Sequence, residues 1–209
     1  MKFIPVLLVL ALLAACSSPS ELAPENFRRG MIEYLQQRGH LCLAKYDWPL
    51  DVPRSEFDQG TRNALQMPVL EKLGLVTGED TTAEQKNDDE VTAVPVRRYR
   101  LTEAGKPFFI TRAFTSAAGE RKVERGDICA ATLTLDRIVA VESPGNAPHP
   151  DQVSVSYTYN IDAAPWTQAP EFRKVFPLID RMVHGAHQTQ LKQGFTRTDA
   201  GWVASDLLK

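Results

Sequence analysis

Residues 152–161 read QVSVSYTYNI. Val153, Val155, Tyr157 and Tyr159 alternate with serines and threonine, and this period of two belongs to a β-strand with one buried face. Ile128–Glu142 is a second long alternating segment, joined to the first by SPGNAPHPD (143–151). Two such strands in succession predict an antiparallel sheet for the back half of the chain. After APWTQAP, the residues Phe172, Phe176, Ile179 and Val183 fall at helical spacing on one face, and Pro177 restarts the helix they form. QLKQGFTRTDAGWVAS closes the chain as a hairpin turning within TDAG.

The front half has a different rhythm. Asn26 caps a helix over Phe27–Arg38, whose Phe27, Met31, Tyr34 and Leu35 share a face and which Gly39 stops. HLCLAKYDWPLDVP (40–53) is extended. A second helix covers Phe57–Leu73, with a break expected at Pro68. The stretch EDTTAEQKNDDE (79–90) holds six acids and one lysine, and predicts a solvated loop. VPVRRYRLTEAG (94–105) is a strand running into a turn, Pro107–Phe114 a further strand, and SAAGERKVERG (116–126) a linker or wide hairpin.

The first sixteen residues, MKFIPVLLVLALLAAC, combine Lys2, an apolar run over Phe3–Leu13, and small residues ahead of Cys16. The run is too short to span a bilayer, which needs about 20 apolar residues, but it suits a signal segment. Leu13-Ala14-Ala15-Cys16 resembles the lipobox of bacterial lipoproteins. The resemblance implies cleavage after residue 15, acyl chains on Cys16 and anchoring of the mature chain to a membrane. Ser17 after the cysteine implies an outer-membrane address, facing the periplasm, and residues 16–25 become a lipidated tether. The phrasing YxYxI, PW, FP and GW along the back half also resembles that of uncharacterised envelope lipoproteins.

The full chain is balanced in composition: hydrophobic residues make up 43% and charged residues 24%, as in a globular chain, and the net charge is −2, becoming −3 once Lys2 is removed with the signal segment. Such a charge supplies no drive toward nucleic acid. Cys42 and Cys129 are the two other cysteines. Outside the cytosol they invite a disulfide, which would close an 87-position loop; two buried free thiols are the alternative.

VLEKLGLVT and RRYRLTEAGK resemble the second half of a winged helix-turn-helix domain, through Leu70, Leu73, Gly74, Leu75 and Val76 and then Tyr99, Leu101, Thr102 and Gly105. The resemblance implies a winged-helix-like part over residues 26–115, packed with the β-rich part over 127–209, hence an α+β fold. The family's DNA contacts do not carry over. The matching helix holds only Arg62, Glu71 and Lys72, and the wing tip is acidic. No nucleic-acid partner is expected.

Catalytic chemistry is hard to find. G-x-S-x-G, S-x-x-K and H-E-x-x-H are absent. Asp180, His184 and His187 could share a helical face, but Gly185 weakens the helix between the histidines, so no metal is expected. His40 and His149 stand alone in loops, and no cofactor is implied. Tyr157, Tyr159 and Trp166 form the best binding candidate, an aromatic patch for peptide, glycan or protein, with core packing as the alternative. The expectation is a non-catalytic binding or assembly module, held to the membrane by Cys16 and meeting an envelope protein or cell-wall ligand. The rival is an envelope hydrolase using a carboxylate pair.

Overall fold

The computed structural model describes residues 22–87, 90–115, 122–143 and 151–208. Cys16 and the signal segment lie outside these residues, as do His149 and most of the 143–151 connection. The element order is α1 (Glu25–Arg38), β1 (His40–Cys42), β2 (Leu50–Pro53), α2 (Arg54–Gln59), α3 (Arg62–Lys72), β3 (Val76–Asn87), β4 (Glu90–Leu101), β5 (Phe109–Thr115), β6 (Lys122–Glu142), β7 (Gln152–Ala163), α4 (Pro170–Val175), α5 (Pro177–His184), β8 (Leu191–Thr198) and β9 (Gly201–Ala204).

Strand β6 organises the molecule. Its 21 residues pair with β5 along the first third, with β1 in the middle, and with β7 over the remainder; β8 and β9 extend the sheet in the order β1-β6-β7-β8-β9. All these pairings are antiparallel. Two register shifts in β6, between Leu135 and Arg137 and between Ile138 and Ala140, mark bulges that bend the strand and raise its twist.

Because strand side chains alternate faces, β6 serves two cores. Ile128 and Ala130 point into one, with Val52, Met67, Leu70, Val76 and Tyr99 and the Phe172–Phe176–Ile179 face of α4 and α5. Leu133 points into the other, where Phe27, Met31 and Leu35 of α1 cover Val153, Val155, Tyr157, Tyr159 and Phe195. The handover lies beside the Cys42–Cys129 disulfide, which joins paired residues of β1 and β6.

The winged-helix expectation for 26–115 is overturned. A winged helix packs its first helix on the others, whereas α1 lies across β6 and β9 in the second core. The reason is the apolar face of α1, whose Phe27 meets Phe195 edge-on and stacks at a tilt on Trp202. Strands β1 and β5, both within 26–115, belong to the β6 sheet, not to a separate unit. The chain is mostly strand, and α2, α3 and the β2-β4-β3 sheet form one flank of the first core.

Two further expectations change. The acidic stretch from Glu79 to Asn87 is part of β3 and not a loop. Its acids are held by arginines of β4: Arg97 bonds Asp80 at 3.1 Å, and Arg100 pairs with Glu79. Pro68 also lies inside α3 without breaking it, because Met67 and Leu70 on either side are fully buried and anchor the helix.

Candidate binding groove

Helix α1 is two-faced. Phe27, Gly30, Met31 and Leu35 are buried, while Arg28, Arg29, Ile32 and Gln36 face outward. Gly30 lets the helix touch the sheet: a Cβ there would meet Trp202 O at 2.5 Å and the Phe195 ring at 2.9 Å. At Gly39 the chain turns sharply into β1, with Gly39 O accepting from Leu133 N–H at 2.7 Å.

β1 pairs with β6 through only His40↔Thr132, Leu41↔Ala131 and Cys42↔Cys129. β7 covers the opposite edge of β6 as far as Glu142. From Thr134 to Glu142 the edge on the β1 side therefore has no strand partner among the described residues. Between that edge and α1 lies a cavity of about 460 Å³, lined by Ile32, Leu35, Gln36, His40 and the consecutive residues Thr132–Leu135. A second concavity of about 500 Å³ runs along α1 from Glu25 to Gln36 and shares Ile32 and Gln36 with the first. Ile32, 37% exposed, sits at the junction. Four residues lining the first cavity are polar: Gln36, Thr132, Thr134 and His40, whose Nδ1 lies 3.0 Å from Thr132 Oγ1.

The expected aromatic patch is not on this surface. Tyr157 and Tyr159 are buried under α1, at 4% and 0% exposure. The Tyr159 hydroxyl donates to Met182 O at 2.8 Å, and burial pushes both phenols up from the ordinary tyrosine value. Trp166 belongs to the other core, edge-on to both Phe108 and Phe172. The strand's alternation aims the tyrosines inward, and the α1 face covers them.

The histidine set also separates. His184 Nδ1 lies 3.1 Å from Asp180 Oδ1, an oxygen that Arg173 also binds at 2.7 Å; His187 turns instead toward Asp136, at 3.6 Å. No group of three His, Cys, Asp or Glu is placed to hold a metal among the described residues. The carboxylates of Glu71 and Asp80 are bridged by Arg97 at 2.7 and 3.1 Å. Asp51 is held by Arg98 in a two-point bond at 2.6 and 2.7 Å.

One buried polar cluster went unseen in the sequence. Lys45 is fully buried, and its Nζ donates to Asn63 Oδ1 at 2.8 Å and Gln66 Oε1 at 2.6 Å. The backbone N–H groups of Ala44 and Lys45 donate to the Asp127 carboxylate at 2.8 and 2.9 Å, and Trp48 Nε1 donates to Lys45 O at 2.7 Å. Desolvation, helped by the Arg62 charge, lowers the Lys45 amine to about 8, against the opposing pull of Asp127. Desolvation raises Asp127, opposed by the N–H groups it accepts from. With no exposed surface on Lys45, the cluster locks the 44–48 bend onto β6 and offers a ligand nothing. AKYDW carries no periodic signal that could have revealed it.

No helix among the described residues is long and apolar enough to cross a membrane. Comparison with known protein families, with characterised proteins and with solved structures finds no match to this chain.

Proposed function

We propose that this protein is a non-catalytic binding module of the cell envelope, tethered by acyl chains on Cys16, and that the groove between α1 and the β6 edge holds its partner. The observation that carries this reading is the groove itself: an open sheet edge beside an apolar wall of Ile32, Leu35, Leu133 and Leu135. Mostly apolar concavities with a few polar groups are where ligands bind. The tether supports the same reading. Only eight residues lie between Cys16 and Glu25, so α1 starts within about 30 Å of the anchoring point.

The test is retention of envelope proteins on the immobilised full chain, with peptidoglycan as a parallel bait. Ile32→Glu places a charge in the apolar wall and is expected to reduce the retained protein at least tenfold without unfolding the chain, because Ile32 is already exposed. Equal retention by the variant would remove the groove from the account. Retention of peptidoglycan alone would make the partner a cell-wall ligand and not a protein, and its cleavage during retention would favour the hydrolase reading.

A further inference from the structure

The geometry points to an extended polypeptide as the occupant: a segment of another chain that adds as a strand to the open edge of β6, continuing the pairing begun by β1. This inference rests on the groove being the binding site and specifies what fills it.

Main-chain chemistry selects the class. An unpaired sheet edge presents N–H and C=O groups at the strand repeat, and another polypeptide backbone supplies matching groups at the same repeat. An acyl chain supplies none, and a sugar supplies them at a different spacing. The edge already takes a strand. β1 occupies it from Cys129 to Thr132, Gly39 O accepts the next donor at Leu133, and the chain then leaves for α1. Thr134 pairs with Asn160 on the β7 side, so an added strand would extend this interface at Leu135, whose N–H faces the open edge and whose C=O already accepts from Asn160 Nδ2 at 3.2 Å.

The side chains set the sequence preference. Leu133 and Leu135 share the face of Leu35, while Thr132 and Thr134, which also line the cavity at the strand edge, point to the other face. An added strand thus meets one apolar and one polar side, which favours alternating apolar and polar residues. The bulges at Asp136 and Val139 limit the flat stretch and disfavour long edge-to-edge association. A short segment fits, and release stays possible.

The chain's own segments outside the described residues are poor occupants on sequence grounds. Residues 17–21 contain Pro19, and residues 144–150 contain Pro144, Pro148 and Pro150; each proline lacks the N–H an added strand must donate. Residues 116–121 enter β6 at Lys122, about 40 Å of strand from Thr134.

Amide hydrogen exchange on the purified full chain tests this, with the decapeptide QVSVSYTYNI as probe. That sequence has the required alternation, and within the fold it already pairs with the other edge of β6. A second decapeptide carries N-methyl groups at the positions of Val155 and Tyr157, keeping the side chains and removing two donors. The expected result is at least tenfold slower exchange at the Leu135 amide, which faces the open edge, with the first peptide, no slowing with the second, and no slowing in Ile32→Glu. Unchanged exchange at Leu135, or equal protection by the N-methylated peptide, would overturn strand addition. Faster exchange in β8 would overturn it too, since the peptide would then have replaced β7. Protection that grows with protein concentration in the absence of peptide would assign the edge to a second copy, and so also count against a separate polypeptide. If Ile32→Glu abolishes retention of envelope proteins while the edge stays unprotected, strand addition fails and the groove stands. If the variant changes nothing in either experiment, both fail.

Discussion

Lys45 shows what single residues cost and contribute here. A fully buried ammonium loses its hydration, and Asn63 and Gln66 restore only two of its three possible bonds. Its folded value of about 8 lies below the ordinary 10.5. The charged form is therefore the disfavoured one in the fold. Its penalty is constant below pH 8, shrinks as pH rises from about 8 to 10.5, and is gone above that. Urea unfolding between pH 8 and 10 should show stability rising by up to about 1.4 kcal/mol per pH unit, and Lys45→Met should flatten the slope. A slope unchanged in the variant would reassign the titration. Asp127 works in the opposite sense. Its raised folded value means that its contribution is fully present below the unfolded value and fades as pH rises through the folded one. Removing the carboxylate in Asp127→Ala strands the Ala44 and Lys45 N–H groups and leaves Lys45 poorly compensated, so a loss of about 3–5 kcal/mol is expected.

Among the elements, those written in local pattern were legible and those made by tertiary contact were not. QVSVSYTYNI forms β7 because alternation is a local property, and Phe172, Phe176 and Ile179 form the buried face of α4 and α5 for the same reason. Pro177 restarts the helix at α5. β3 was hidden because, apart from Thr81 and Thr82, Glu79–Asn87 has no β-branched or aromatic residue to mark a strand; arginines of β4 and twelve paired positions hold it instead. The 21-residue length of β6 was hidden because its first third lies in the polar phrase KVERG. The site suffered most. Neither the groove nor the open edge has a motif, since both follow from where α1 docks, and the aromatic phrase that looked like a surface is the floor beneath that helix. Docking of α1 depends on Gly30. Gly30→Leu should push the helix off Trp202 O and the Phe195 ring, at a loss of about 1–3 kcal/mol in thermal unfolding; a neutral result would mean the helix does not lie where described. The Cys42–Cys129 bond ties β1 to β6 across 87 positions, and its loss in Cys42→Ser/Cys129→Ser should cost about 3–5 kcal/mol. Intact mass after alkylation checks the bond directly, since two alkylated thiols in unreduced protein would contradict it.

At the scale of the molecule, one long strand binds two cores together. The first core encloses α3, α4 and α5 against β2, β3 and β4, and the second presses α1 onto β7 and β8. Because α1 is also the first described element, the groove it borders lies close in sequence to Cys16, which the proposed function takes as the lipid anchor. Address and site are thus two ends of one short stretch of chain. Photocrosslinking in intact cells measures both together. A benzophenone side chain placed at Ile32 should give a discrete protein adduct in the membrane fraction. The same group at Leu65, exposed on α3 over the other core, should give none, and Cys16→Ala should abolish the adduct from Ile32 and release the protein from the membrane. No adduct from Ile32, an equal adduct from Leu65, or an adduct untouched by Cys16→Ala would contradict the account.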